Sequence, residues 1–200
     1  MVGRYYFSSF WLMAGSELIT AFRAEINHYL EVPYFSNVGK FKNSGTNAHV
    51  GKGSAKEIAL LTVEIANQLN IKLLDFTSTD IYNFQKKHHI GIDCSGLACH
   101  LLNFYATLIS KTITLDPRKT SADSLTSTPI STPISTTDAS TADLIRQKSG
   151  HHVVIIVEKT ATEIIFVESR KENRKVTSGQ VLLSDQQFFK DGIYRLNSFI

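Results

Sequence analysis

The chain has 200 residues, 42% apolar and 20% charged, which is the composition of an ordinary globular domain and excludes a collagen-like, fibrous or wholly disordered chain. Its 21 Lys and Arg against 18 Asp and Glu leave a formal charge of +3, and the basic residues are scattered, so no nucleic-acid footprint is present and no nucleic-acid partner is expected. The two cysteines, Cys94 and Cys99, lie five apart in a predicted helix on different faces, so a disulfide scaffold is not expected either.

The N-terminus carries Arg4 and then an apolar stretch, Tyr5 to Ala14, broken by Ser8 and Ser9 and without a clean small-residue cleavage site, so it is no clear signal peptide. Localisation stays open between cytoplasmic and exported by an unrecognised route. The same residues read as the start of one or two helices over Ser8 to Leu30, with Phe10, Met13, Leu18, Phe22, Ile26 and Tyr29 at roughly helical spacing. No apolar run reaches about 18 residues, so no integral membrane segment is expected. Val32-Pro33 ends this region, because the residue before proline is pushed out of the helical well.

A polar loop with Gly39, Gly45 and Gly51 follows, and then Ser54 with Glu57 three residues later forms a capping box that opens a helix to about Leu69, with Ile58, Leu61, Ile65 and Leu69 as its buried stripe. A cap at Thr79 or Asp80 opens a short helix over Ile81 to Lys87. The segment from Ser95 to about Ile109 is apolar on nearly all sides and is expected to be a central, enclosed helix. Between Thr120 and Thr141, 13 of 22 residues are Ser or Thr, including the tandem run Ser127 to Thr136, and the segment is expected to be a disordered insertion. Val153 to Val157 and Ile164 to Val167 are β-branched runs that predict a hairpin, and Val181 to Leu183 and Ile193 to Leu196 add further strand signals. Helices followed by an antiparallel sheet predict an α+β domain.

Cys94 falls at the first turn of the central helix, where unpaired N–H groups and the helix dipole favour a thiolate. Asp93 or Ser95 can cap that helix, and Gly96 leaves room for a substrate carbonyl to reach the Cys94 N–H, an oxyanion donor. A thiol nucleophile needs a base, and the hairpin supplies one. If Glu158 to Thr162 form the loop, Val157 faces Glu163 and His152 faces Glu168, so the carboxylate orients the imidazole; a loop one residue longer puts Ser169 there instead. His151 alternates to the other face of the strand, so only one of the two histidines can point at Cys94. A metal site from Cys94, Cys99, His100 and one of His88 or His89 lacks the usual two-residue cysteine spacing, so neither metal nor cofactor is expected. Gly51-Lys52-Gly53-Ser54 resembles a phosphate loop only superficially and is assigned no nucleotide.

Taken together, Gly91-Ile92-Asp93-Cys94-Ser95-Gly96-Leu97, Ala142-Asp143-Leu144-Ile145-Arg146, Gly150-His151-His152-Val153-Val154-Ile155-Ile156-Val157 and Phe166-Val167-Glu168-Ser169 resemble, in that order, the NlpC-type papain-like cysteine peptidases and amidases and the related CHAP amidases. The resemblance spans roughly Val32 to Arg170 and implies a papain-like fold in which a nucleophile-bearing helix packs on an antiparallel sheet. It implies a cysteine hydrolase that cleaves an amide or peptide bond, with Cys94 as nucleophile, His152 as base and Glu168 as the orienting residue. A bacterial cell-wall peptide or related amide is the implied substrate; a catalytically idle binding module, or an amidase or acyltransferase on another substrate, is the alternative. The family's tyrosine near the nucleophile is matched only by Tyr34, and sixty positions separate Tyr34 from Cys94. The expected organisation is an N-terminal helical segment over residues 1–31 and a catalytic domain over 32–200, with the insertion at 120–141.

Overall fold

The structure, a computed structural model, describes residues 15–36 and 45–200. Tyr5 to Ala14, with Phe10 and Met13 of the expected stripe, and Gly39 of the polar loop lie outside the described residues. Helix α1 (Gly15–Asn27) buries Phe22 and Ile26, and Tyr29 just beyond it is also buried. These side chains join the same core as the central helix, so α1 packs as part of one body with residues 32–200.

Helix α2 (Ala55–Gln68) opens with the expected capping box: the Glu57 N–H donates to Ser54 Oγ at 3.2 Å and the Ser54 N–H to Glu57 Oε2 at 2.7 Å. Its buried face runs through Ile58, Thr62 and Ala66, whereas Leu61 and Ile65 sit at the margin and Leu69 is exposed. Helix α3 (Ser78–Lys87) starts from a capping box of Thr77 with Asp80, two residues before the earliest cap read from sequence. Helix α4 (Cys94–Leu108) is the enclosed helix, burying Leu97, Ala98, Cys99, Leu101 and Leu102 completely.

The Ser/Thr-rich segment departs from expectation. Instead of a disordered insertion, it forms a short helix α5 (Ala122–Leu125) and strand β1 (Ser131–Ile134). Leu125 and Ala122 are buried in the core, and hydroxyls of the segment bond its own backbone. Thr126 Oγ1 donates to the Ala122 carbonyl at 2.9 Å and Ser131 Oγ to the Leu125 carbonyl at 2.8 Å. The local side-chain bonding that makes Ser and Thr look like loop formers here satisfies a tight, buried turn.

The remaining strands are β2 (Leu144–Gln147), β3 (His152–Lys159), β4 (Glu163–Arg170), β5 (Lys175–Leu182) and β6 (Ile193–Leu196). They form one six-stranded sheet of order β1-β6-β2-β3-β4-β5, antiparallel at every pairing. Alternation along β3 sends Val153, Ile155 and Val157 to the face covered by α1 and α4, and Val154 and Ile156 to a second cluster closed by Phe188 and Phe189. The chain is therefore mixed α+β. Among the described residues no helix is long and apolar enough to cross a membrane.

Candidate functional site

Cys94 is the first residue of α4, and Asp93 is its N-cap, accepting the Gly96 N–H on Oδ1 at 2.7 Å. Ser95, the other candidate cap, is used differently: its hydroxyl accepts from Lys52 Nζ at 2.6 Å and donates to Asp93 Oδ1 at 3.2 Å. Lys52 Nζ also reaches Asp93 Oδ1 at 2.9 Å, completing a Lys52–Asp93–Ser95 cluster in which Lys52 and Ser95 are buried and Asp93 is partly so. Gly96 owes its identity to the protein itself, because a Cβ there would lie 2.5 Å from the Gly51 carbonyl oxygen. That close approach by itself requires the missing side chain.

Cys94 is 9% exposed, and its thiol lies against the Val153 and Ser95 N–H groups. Burial first, and then the adjacent Asp93 carboxylate, push it above the ordinary thiol range; the two N–H groups and Lys52 pull the other way. The net direction is upward because desolvation of the thiolate is the largest of these influences. Cys99 is buried deeper in α4 and is pushed up to about 12, chiefly by burial. His100, the next residue of α4, bonds the Lys52 carbonyl at 2.9 Å. Among the described residues no group of three or more His, Cys, Asp or Glu is placed to hold a metal ion.

His152 opens β3 and Glu168 lies inside β4, both almost fully buried, with Nε2 and Oε2 2.7 Å apart. Their meeting depends on a bulge. On the loop side the pairs are Lys159↔Ile164 and Glu158↔Ile165, but beyond Val157 they become Ile156↔Phe166 and Ile155↔Val167. Val157 is the extra residue. Carried straight through, the loop-side register would set Ser169 on the face of His152; the bulge restores Glu168 to it. The expected direct facing of His152 and Glu168 is therefore corrected: the register runs on to place His152 opposite Arg170, and Glu168 is its diagonal neighbour. Ser169 turns to the helix side, where its hydroxyl donates to the Ile92 carbonyl at 2.7 Å. His151 is exposed at the end of the preceding turn.

Arg170, unremarked in the sequence, closes the pair from its third side: Nε donates to Glu168 Oε2 at 2.9 Å and lies 3.4 Å from His152 Nε2, while its other end bonds Gln147. Asn173 Nδ2 reaches Glu168 Oε1 at 3.5 Å. With Nε2 held by the carboxylate, Nδ1 is the ring nitrogen left for chemistry. Among the described residues no hydrogen bond joins Cys94 to His152; the thiol lies at the N–H of Val153, one residue along from the imidazole.

Tyr34 does return to this place. The Ile92 N–H donates to the Pro33 carbonyl at 3.0 Å and Phe35 N–H to the Ile92 carbonyl at 3.3 Å, so residues 33–35 run beside the approach to α4. Burial, then the proximity of Cys94 and Asp93, push the Tyr34 hydroxyl upward. Backbone pairing thus closes the sixty-position gap. Lys52 and Arg170 are the two residues that sequence reasoning missed: Arg170 shares a strand face with Glu168, a usable period-two signal, whereas nothing in the spacing around Lys52 marks it as buried.

No family model matches the chain, and no curated protein or solved structure matches it.

Proposed function

We propose that the chain is a papain-like cysteine hydrolase that cleaves an amide or peptide bond through a thioester on Cys94, with His152 as base and Glu168 as the residue that orients it. The observation that carries the reading is the buried His152–Glu168 pair at 2.7 Å, together with a cysteine at the start of an enclosed helix whose thiol lies at the N–H of Val153. A buried carboxylate on Nε2 fixes the neutral ring with Nδ1 unprotonated, the form that takes a thiol proton. The resulting imidazolium would lie between Glu168 and the thiolate, offsetting the burial that holds the free thiol neutral. In the acylation step the thiolate sulfur attacks the carbonyl carbon, the oxyanion is met by the Cys94 N–H, and the imidazolium returns its proton to the leaving amine. Water then hydrolyses the thioester. The resemblance to NlpC-type and CHAP enzymes supports a cell-wall peptide or related amide as substrate.

A second reading, a catalytically idle binding module, has one observation in its favour: the Cys94 thiol sits above its ordinary range and makes no hydrogen bond to His152 among the described residues. Iodoacetamide labelling across pH, read by mass spectrometry at Cys94 and Cys99 separately, separates the two. Rapid reaction of Cys94 alone below about pH 7, where an ordinary thiol with pKa near 8.5 is slow, and its abolition by His152→Ala support the hydrolase. Slow, His152-independent labelling of Cys94 supports the binding module.

A further inference from the structure

We infer that Lys52 is a positioning residue that neutralises the Asp93 cap and so makes a thiolate at Cys94 attainable, a role that rests on the cysteine-hydrolase reading. The conflict it resolves is built into the first turn of α4. An N-cap carboxylate satisfies the Gly96 N–H and suits the helix dipole, yet it places a negative charge directly beside the residue that must itself become negative. A neutral Ser, Thr or Asn cap would avoid the conflict. This chain keeps the carboxylate and brings a cation to it.

The backbone around Lys52 is arranged for that delivery. Gly51 has φ +75 and passes so close to Phe35 that a Cβ would lie 2.1 Å from its carbonyl oxygen, so only glycine fits the turn. The Gly51 carbonyl accepts the Asp93 N–H at 2.9 Å, the Lys52 N–H donates to the Asn47 carbonyl at 2.9 Å, and the Lys52 carbonyl is held by His100. Lys52 also forms a bridge with Ile92. The main chain is pinned on both sides, and the side chain, with the residue only 7% exposed, has its ammonium on Asp93 Oδ1 and Ser95 Oγ. A long, flexible side chain buried at this cost, away from any surface, is placed for its charge. The charged and titratable groups around Cys94 are then Asp93 and Lys52 from its own capping cluster, Tyr34 from the 33–35 segment, and His152 with Glu168 and Arg170 behind it from the sheet. Of these, Lys52 is the cation that offsets Asp93 directly.

The test is the pH profile of Cys94 alkylation in the full chain, with circular dichroism confirming the fold at each pH. Lys52→Met is expected to raise the midpoint by about one pH unit, a roughly tenfold slower reaction on the acid limb, while Lys52→Arg restores most of the rate. Because an unpaired Asp93 can unfold the methionine variant, the decisive comparison is Asp93→Asn against Asp93→Asn with Lys52→Met, where asparagine keeps the cap and only the cation changes. A higher midpoint in the double variant supports the proposal. Equal midpoints overturn it, even if the double variant melts earlier, because a merely structural lysine moves stability and not the profile. His152→Ala reports separately on the hydrolase reading: a wild-type profile there, with a shift in the lysine pair, would overturn the hydrolase while leaving the Lys52 electrostatics intact.

Discussion

Glu168, itself buried, carries two partners on one oxygen, His152 and Arg170. Substituting it therefore disturbs more than an orienting contact. Glu168→Gln keeps an acceptor but leaves the Arg170 guanidinium beside the imidazole without its counter-charge, so the imidazolium becomes unfavourable. Under the proposed mechanism the expected loss is about a hundredfold or more in the acid-limb rate of Cys94 alkylation. The same substitution breaks a buried ion pair, and about 3 kcal/mol of stability should disappear from the denaturant midpoint. Adding Arg170→Gln should recover part of that stability without recovering the rate. A stability loss that Arg170→Gln does not relieve would show that the pair is not the unit described above.

The first turn of α4 and the β3–β4 bulge are the two elements on which the site hangs. Gly96 lets the Gly51 carbonyl approach within a distance that no Cβ permits. Gly96→Ala should cost about 2 kcal/mol in thermal or denaturant unfolding and displace Cys94 relative to Val153, because the nearest obstacle is the Gly51 backbone carbonyl, which cannot swing away as a side chain would. A fully stable Gly96→Ala variant would mean that the loop yields easily. The bulge at Val157 matters for a different reason: a strand has period two, so a one-residue change of register exchanges Glu168 for Ser169 on the face of His152. The pairing is legible only as a parity: the loop moves the register three positions from the expected one and the bulge takes one back, an even change that keeps Glu168 on the face of His152.

At the scale of the whole molecule, Cys99 and Tyr29 are buried neutral groups in the core shared by α1, α4 and the sheet, and burial raises both. For Cys99 the unfolded thiol titrates near 8.5 and the folded one at about 12. Between these values the unfolded chain holds fewer protons than the folded one, so stability is complete below about pH 8.5 and falls as pH rises toward the folded value. Melting temperature should decline through this window, and Cys99→Ala should flatten the decline while lowering the melting temperature at neutral pH. A slope unchanged by Cys99→Ala would assign alkaline loss to other groups.

What the sequence by itself determined were the features whose causes are local: the Ser54–Glu57 box that starts α2, the apolar run that becomes α4, the β-branched runs of β3 and β4, β6, and the placement of a cysteine at the start of α4, a histidine at the start of β3 and a carboxylate within β4. Each is written in neighbouring residues through capping, periodicity or branching. Tertiary structure decided the rest. The Ser/Thr-rich segment is ordered because β1 finds β6 across sixty positions of chain, and Tyr34 reaches Cys94 through pairing with Ile92. Lys52 is buried because α4 presents Asp93 to it, and the thiol is raised because the assembled core removes water from it. Burial and long-range pairing depend on which distant segments meet, and no window of neighbouring residues contains that information.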